Sequence, residues 1–124
     1  MKTPIILLIS NDPSVEELAS EAVLATRHGL RLRHTSAEAF QQLKESCDDI
    51  DLAIIDLDPG VHGQALLEAA GDRLPMLVLS SLEEAYVHPL SQRHGARGCL
   101  TKPFTAEQLH AAIEHILHDS LQSN

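Results

Sequence analysis

The side chains best suited to chemistry are polar groups that directly follow short apolar runs. A short apolar run bounded by turn residues is typical of a strand buried on both faces, as in parallel sheets. Because the strands of such a sheet all end at one edge, we expect these polar groups to meet there. A carboxylate, hydroxyls and a lysine ammonium together suit an anion held beside a carboxylate. The set comprises Ser10, Asn11, Asp12, Asp56, Ser80, Ser81 and Lys102.

Taken singly, each of these residues also has a plainer structural explanation. Asp56 could simply end a strand and cap a turn, because aspartate is favoured in turns. Lys102 could be a solvated loop lysine, since lysines are mostly exposed. The occurrence of polar groups at the ends of four predicted strands favours a common site over these separate explanations.

The elements that must position these groups alternate between strand and helix along the chain. Apolar runs predict strands at residues 4–9, 30–34, 51–56, 76–79 and 99–100. Helical spacing of apolar residues predicts one helix after each strand, with helix 3 at 63–70 and helix 4 at 82–94. Five such units predict an α/β fold with a doubly wound parallel sheet in the order 2-1-3-4-5 and helices on both faces.

Local signals define the ends of the first and last helices. Asp12 or Asn11 is suited to cap helix 1, and Gly29 is suited to end it. Thr105 and Gln108 have the spacing of a capping box at the start of helix 5, which is the most clearly amphipathic helix in the chain.

Composition narrows the class of protein. A length of 124 residues predicts a single domain over 1–124, with a core over about 4–118 and a frayed tail over 120–124. A formal charge of −9 argues against direct nucleic-acid binding. The longest apolar stretch, residues 5–9, is far too short to cross a membrane. Cys47 and Cys99 make no disulfide framework, which favours the reducing cytoplasm.

The sequence resembles the receiver domain of bacterial two-component response regulators over about residues 4–118. The resemblance is carried by the segments IILLISNDP (5–13), DLAIIDLDPG (51–60) and LPMLVLSS (74–81). The most specific segment is GARG (95–98) leading to TKPF (101–104). The resemblance implies a flavodoxin-like receiver fold and a part in phosphorelay signal transduction.

The resemblance also implies roles for three residues. Asp56 would accept a phosphoryl group from a histidine kinase or a phosphotransfer protein. Ser80 would hydrogen-bond that group after transfer, and Lys102 would pair with its charge. The Lys102–Pro103 peptide bond is often cis in this family. A domain of this kind is a signalling switch with a reaction at one aspartate, and we expect no enzyme activity.

An Mg²⁺ site is implied as well, but the acidic pair that usually follows strand 1 is incomplete. Aligned on the proline after Asp12, Ser10 and Asn11 occupy the two acidic positions; a shift of one residue would give Asn11 and Asp12. The implied ligands are Asp12, Asp56 and the backbone carbonyl of Asp58, in a loop one residue shorter than usual. Because Ser10 and Asn11 supply no charge, we predict weak or absent Mg²⁺ binding.

Two functional interpretations remain open. In the first, the chain is a phosphoacceptor receiver that signals through helix 4, strand 5 and helix 5 to a downstream protein or a second copy. In the second, it is a pseudo-receiver, a protein-binding module that works without phosphorylation. Pro89 is predicted to deform helix 4. Cys99, taken to be a small buried thiol, replaces the aromatic residue usual on strand 5.

Overall fold

The strands build one parallel sheet. A computed structural model of the chain describes residues 5–10, 12–26, 29–33, 38, 41, 50–56, 74–81 and 96–122. Within this part the sheet has the order β2-β1-β3-β4-β5, which confirms the predicted topology. The strands are β1 (Ile5–Ile9), β2 (Gly29–Arg33), β3 (Ile50–Asp56), β4 (Met76–Ser80) and β5 (Gly98–Thr101).

Two helices have described bounds, α1 (Pro13–Leu24) and the C-terminal helix α2 (Ala106–Gln122), which corresponds to predicted helix 5. Predicted helices 3 and 4, with Pro89, lie outside the described residues. Of predicted helix 2, only Glu38 and Gln41 are described, and both are helical.

The three inner strands are buried because aliphatic side chains occupy both of their faces. Only Asp51, in the first half of β3, is exposed along these strands, and Ile5 is partly so. Alternate residues of each strand join the core under the two helices, as the period of two in a strand requires. The strand residues in this cluster are Ile6, Leu8, Leu52, Ile54, Leu77 and Leu79. The helix residues are Val15, Ala19, Ala22, Val23, Leu109, Ile113 and Ile116.

Helix α1 begins as predicted but ends earlier. The Asp12 side chain caps it by accepting a hydrogen bond from the Ser14 N–H at 2.9 Å. The prediction that Gly29 ends the helix was wrong, because Gly29 is the first residue of β2. The helix stops at Leu24, and the Thr26 backbone N–H and hydroxyl both donate to the Val23 carbonyl, at 2.9 and 2.7 Å.

Helix α2 begins with the predicted capping box. The Thr105 N–H donates to Gln108 Oε1 at 2.8 Å, and the Gln108 N–H donates to Thr105 Oγ1 at 3.1 Å. The predicted frayed tail over 120–124 was wrong for residues 120–122, because the helix continues through Gln122, and residues 123–124 lie outside the described part of the chain. No glycine or proline interrupts residues 106–122, so nothing in the sequence stops the helix earlier. Neither described helix is long and apolar enough to cross a membrane.

Candidate functional site

The predicted acceptor, Asp56, is the last residue of the central strand β3. Strand alternation places it on the same face as Ile54, so it continues an apolar row at the strand-end edge of the sheet. It is buried, with 1% of its surface exposed. A buried carboxylate requires hydrogen bonds or an opposite charge, because burial of an isolated ion is costly. Asp56 has both kinds of partner.

The opposite charge comes from Lys102, which follows the edge strand β5. Its ammonium Nζ lies 3.1 Å from both Asp56 oxygens, Oδ1 and Oδ2, and its side chain is 15% exposed. The Lys102 backbone N–H donates to the Ser80 carbonyl at 2.8 Å, which ties the start of the loop to β4. The Lys102–Pro103 peptide bond is cis, as the resemblance implied.

Ser10 and Asp12 reach the same place from the end of β1. Ser10 is fully buried, and its hydroxyl donates to Asp56 Oδ2 at 2.9 Å. The Asp12 N–H donates to Ser10 Oγ at 3.1 Å. Besides capping α1, the Asp12 carboxylate places Oδ2 3.6 Å from Lys102 Nζ. Asp12, Asp56 and Lys102 therefore form one ion-pair network with a formal charge of −1.

Ser80 ends β4, the strand between Asp56 and Lys102. It is buried, and in the sheet Asp56 pairs with Leu79 while Ser80 pairs with Thr101. Ser81, the next hydroxyl of the predicted set, is exposed. The structure thus gathers Ser10, Asp12, Asp56, Ser80 and Lys102 at one edge of the sheet, as the strand-end pattern predicted.

Known proteins are similar to the chain in sequence and in fold. The chain is 30% identical over 115 residues to the two-component response regulator ORR24 of Oryza sativa subsp. indica, an alignment covering 90% of this chain and 18% of the relative. It is 27% identical over 120 residues to the two-component response regulator ARR11 of Arabidopsis thaliana, covering 94% of this chain and 23% of the relative. No family model matches the chain.

Solved structures with a similar fold belong to the same class of protein. The solved structure of a response regulator receiver domain protein (CheY-like) from Methanospirillum hungatei JF-1 has a TM-score of 0.84 at 17% identity, covering 98% of this chain and 99% of that one. This chain is a response-regulator receiver domain. It spans less than a quarter of the length of the two plant relatives described above.

Several predicted features of this receiver domain are corrected or lie outside the described residues. Cys99 is only half-buried, so the small buried thiol expected on β5 is instead a partly exposed one. It lines a mainly apolar groove between β5 and α2, together with Leu100, Ala112 and Ile116. Asn11 and Asp58, which bear on the predicted metal site, lie outside the described residues.

Sequence reasoning treated Ser10 as a lost metal ligand and missed its direct hydrogen bond to Asp56. The signal was present in the strand pattern. Ser10 follows β1, β1 pairs with β3 with Ile9 opposite Ile55, and the next residue of each strand therefore lies beside the other. A serine at that position brings a donor to the carboxylate, where an acidic residue would bring a second negative charge.

Two of the three predicted Mg²⁺ ligands, Asp12 and Asp56, lie together at this edge of the sheet. Among the described residues, no three or more His, Cys, Asp or Glu side chains are grouped to hold a metal. Of the predicted ligands, Asp12 and Asp56 are described, and protein donors already engage both carboxylates. Mg²⁺ prefers several oxygen ligands with carboxylates among them. In this structure the Asp56 carboxylate is instead paired with the Lys102 ammonium and the Ser10 hydroxyl.

Proposed function

We propose that this receiver domain is a phosphoacceptor in phosphorelay signal transduction, with Asp56 as the acceptor. One observation carries the proposal: a buried carboxylate at the end of the central strand has an ammonium 3.1 Å from both oxygens. A carboxylate is a competent nucleophile toward phosphorus, and a fixed cation beside it stabilises the charge of the transferring group. The curated relatives are two-component response regulators, which supports the same role.

The reaction is a transfer of one phosphoryl group from a phosphohistidine. An Asp56 oxygen forms a bond to phosphorus while the bond between phosphorus and the donor imidazole nitrogen breaks. The imidazole leaves with the electron pair of that bond and takes a proton from solvent. In the acyl phosphate product, the Lys102 ammonium pairs with the phosphoryl charge and the Ser80 hydroxyl donates to a phosphoryl oxygen. Asp56 is consumed once per transfer, so the domain acts as a substrate and switch rather than as an enzyme.

The surroundings of the site suit a protein donor. An apolar cleft opens beside Asp12 and Lys102, lined by Val15, Leu18 and Phe104. Apolar side chains next to a charged site are suited to a protein surface that carries the phosphohistidine, and less suited to a small polar metabolite. A histidine kinase or a phosphotransfer protein is the proposed partner.

We propose that transfer is slow and that Mg²⁺ binds weakly or not at all. Ser10 supplies no negative charge where a receiver usually has an acidic residue. Loss of one preorganised electrostatic contact commonly lowers a rate by about 10²–10³, equivalent to about 2.7–4 kcal/mol. A slow receiver of this kind would hold its phosphorylated state only where the donor outpaces hydrolysis.

The surface formed by β5 and α2 would bind a downstream protein or a second copy of the chain and so transmit the signal. The groove beside Cys99 gives this surface an apolar lining, and apolar lining is common at the centre of protein interfaces.

Direct nucleic-acid binding is not part of the proposal, because the chain carries a formal charge of −9. The single-domain boundaries and the cytoplasmic location remain predictions.

The alternative is a pseudo-receiver, a protein-binding module without phosphoryl chemistry. One observation favours it: Asp56 Oδ2 already accepts hydrogen bonds from both Ser10 and Lys102. A carboxylate that is fully engaged by its own protein is a weaker nucleophile than an open one. Retention of Asp56, Lys102 and Ser80 at one edge weighs for the phosphoacceptor.

Incubation with a small-molecule phosphodonor and Mg²⁺, followed by intact mass measurement, separates the two functions. We expect slow gain of one phosphoryl group by the wild-type chain and none by Asp56→Asn. A beryllofluoride titration followed by NMR tests occupancy of the site independently of rate. No adduct and no beryllofluoride response would favour the pseudo-receiver.

A further inference from the structure

Ser10 is fixed at the end of β1 by three hydrogen bonds, two of which involve its hydroxyl. Its backbone N–H donates to the Arg33 carbonyl of β2 at 3.0 Å. Its Oγ accepts the Asp12 N–H at 3.1 Å, in a local turn that serine commonly forms. Because that N–H approaches the oxygen, the hydroxyl proton is directed to Asp56 Oδ2, 2.9 Å away. Ser10 has no exposed surface, so solvent does not compete for this hydrogen bond.

The acceptor oxygens of Asp56 are correspondingly engaged. Oδ2 accepts from both Ser10 and Lys102, and Oδ1 accepts from Lys102. A carboxylate offers about four lone-pair positions over its two oxygens. Two donors therefore occupy both positions on Oδ2, and a cation can bind that oxygen only after one donor leaves.

The carboxylate of Asp12, the other described one at this edge, is also engaged by protein donors. Asp12 Oδ1 accepts the Ser14 N–H that caps α1, and Oδ2 faces Lys102 at 3.6 Å. An acidic side chain at position 10 would add a negative charge to a network whose formal charge is −1, and it would accept where Ser10 donates. An acidic residue at position 10 would therefore favour a cation beside this network, whereas Ser10 adds a donor and no negative charge.

We propose that Ser10 is a positioning residue for Asp56. Its hydroxyl holds Oδ2 through a hydrogen bond that competes with a divalent cation for that oxygen, and the residue type at position 10 sets how strongly phosphoryl transfer depends on a metal. This inference rests on the proposed phosphoacceptor function for its kinetic part only. Its binding part concerns Mg²⁺ and Asp56 alone.

The binding part is tested by titrating Mg²⁺ into the full chain and following backbone amide signals by NMR. The proteins are wild type, Ser10→Ala, Ser10→Thr and Ser10→Asp, with Asp56→Asn as the control for site occupancy. We expect Ser10→Ala to bind Mg²⁺ roughly tenfold more tightly than wild type, the equivalent of one hydrogen bond to a charged group. Ser10→Thr keeps the hydroxyl and should match wild type, whereas Ser10→Asp should bind most tightly.

The decisive comparison is alanine against serine and threonine. If Ser10→Ala binds Mg²⁺ no more tightly than wild type, the hydroxyl does not restrain Oδ2 and the proposal is overturned. A merely structural role for Ser10 would also lower affinity in Ser10→Ala, the opposite direction. Should Ser10→Ala fail to fold, Ser10→Cys takes its place, because its thiol is a weak donor of similar size and adds no charge. Tighter Mg²⁺ binding by Ser10→Cys than by Ser10→Thr supports the proposal, and equal binding overturns it.

The kinetic part compares adduct formation with Mg²⁺ and with a chelator. We expect the wild-type rate to change less than about tenfold between the two conditions and the Ser10→Asp rate to change by about 10²–10³. Equal metal dependence of the two proteins overturns the inference. If no protein forms an adduct, the proposed function fails, and the Mg²⁺ titration still decides the role of Ser10.

Discussion

The strand-end edge of the sheet and the sheet face beneath α1 and α2 are built from the same strands but are held together differently. In β3, Ile54 and Asp56 are two residues apart and point to the same face. Ile54 packs in the core with Ile113 and Leu109, where apolar volume supplies the stability. Asp56 is equally buried, yet its partners are polar and include hydrogen bonds from Ser10 and Lys102.

Burial therefore has opposite consequences in the two regions. At the helix-covered face, burial is favourable by itself, at about 25 cal/mol per Å² of apolar surface. At the strand-end edge, burial of a charge is unfavourable and specific partners must offset it. Loss of one partner therefore changes the contribution of the others to stability. Substitutions on the helix-covered face should change stability alone. The effects of substitutions at the strand-end edge should instead depend on one another and not add.

The largest expected effect is the loss of Lys102. Lys102→Met leaves Asp56 as a buried carboxylate without its cation, and we expect the free energy of unfolding to fall by about 3–5 kcal/mol. Urea denaturation measures it. In the Asp56→Asn background the same substitution should cost much less, because the buried charge is already gone. Equal costs in the two backgrounds would mean that Lys102 stabilises the fold independently of Asp56.

Next in size is a cavity on the face. Ile113 is fully buried in the core, so Ile113→Ala should lower the free energy of unfolding by about 2–5 kcal/mol. Ile113→Val removes less volume and should cost about 0.5–1.5 kcal/mol. Adduct formation at Asp56, measured where the variant remains folded, should stay within about twofold of wild type, within the scatter that distant sites show. A large loss of adduct in Ile113→Val would show that the face and the edge are not separable.

These two regions also differ in how well the sequence predicts them. The parallel sheet and the meeting of Asp56 with Lys102 follow from apolar runs that end in polar residues, because parallel strands end at one edge. The capping box at Thr105 follows from residue type and spacing. The core rows follow from the period of two.

The features that the sequence did not predict correctly depend on competition between neighbouring residues or on contacts between distant ones. Gly29 is a good helix stop, but Thr26 ends α1 first and Gly29 pairs with Ile5 in the sheet. The hydrogen bond from Ser10 to Asp56 depends on strand register and on one hydroxyl rotamer. Neither of these produces a repeating pattern of residue types from which it could be predicted. Side-chain exposure at an edge strand, as for Cys99, depends on neighbours far along the chain.

The smallest expected effect comes from the second carboxylate that faces Lys102. Asp12 Oδ2 lies 3.6 Å from the ammonium and the Asp12 side chain is 40% exposed, whereas Asp56 lies at 3.1 Å and is buried. An exposed ion pair contributes about 0–1 kcal/mol and is screened by salt. Asp12→Asn keeps the α1 cap, since asparagine caps as well as aspartate. We therefore expect a loss of no more than about 1 kcal/mol in urea denaturation, shrinking further at high salt.

The matched control is Asp12→Ala, which removes both the charge and the cap and should cost about 0.5–2 kcal/mol more than Asp12→Asn. This additional cost should persist at high salt, because the capping hydrogen bond to the Ser14 N–H is short-ranged. The Lys102 ammonium would then be essential to the buried carboxylate of Asp56 and of minor importance to the exposed carboxylate of Asp12, with burial as the main difference between them. A salt-insensitive loss above about 2 kcal/mol in Asp12→Asn would contradict this, and it would place Asp12 inside the buried network with Asp56.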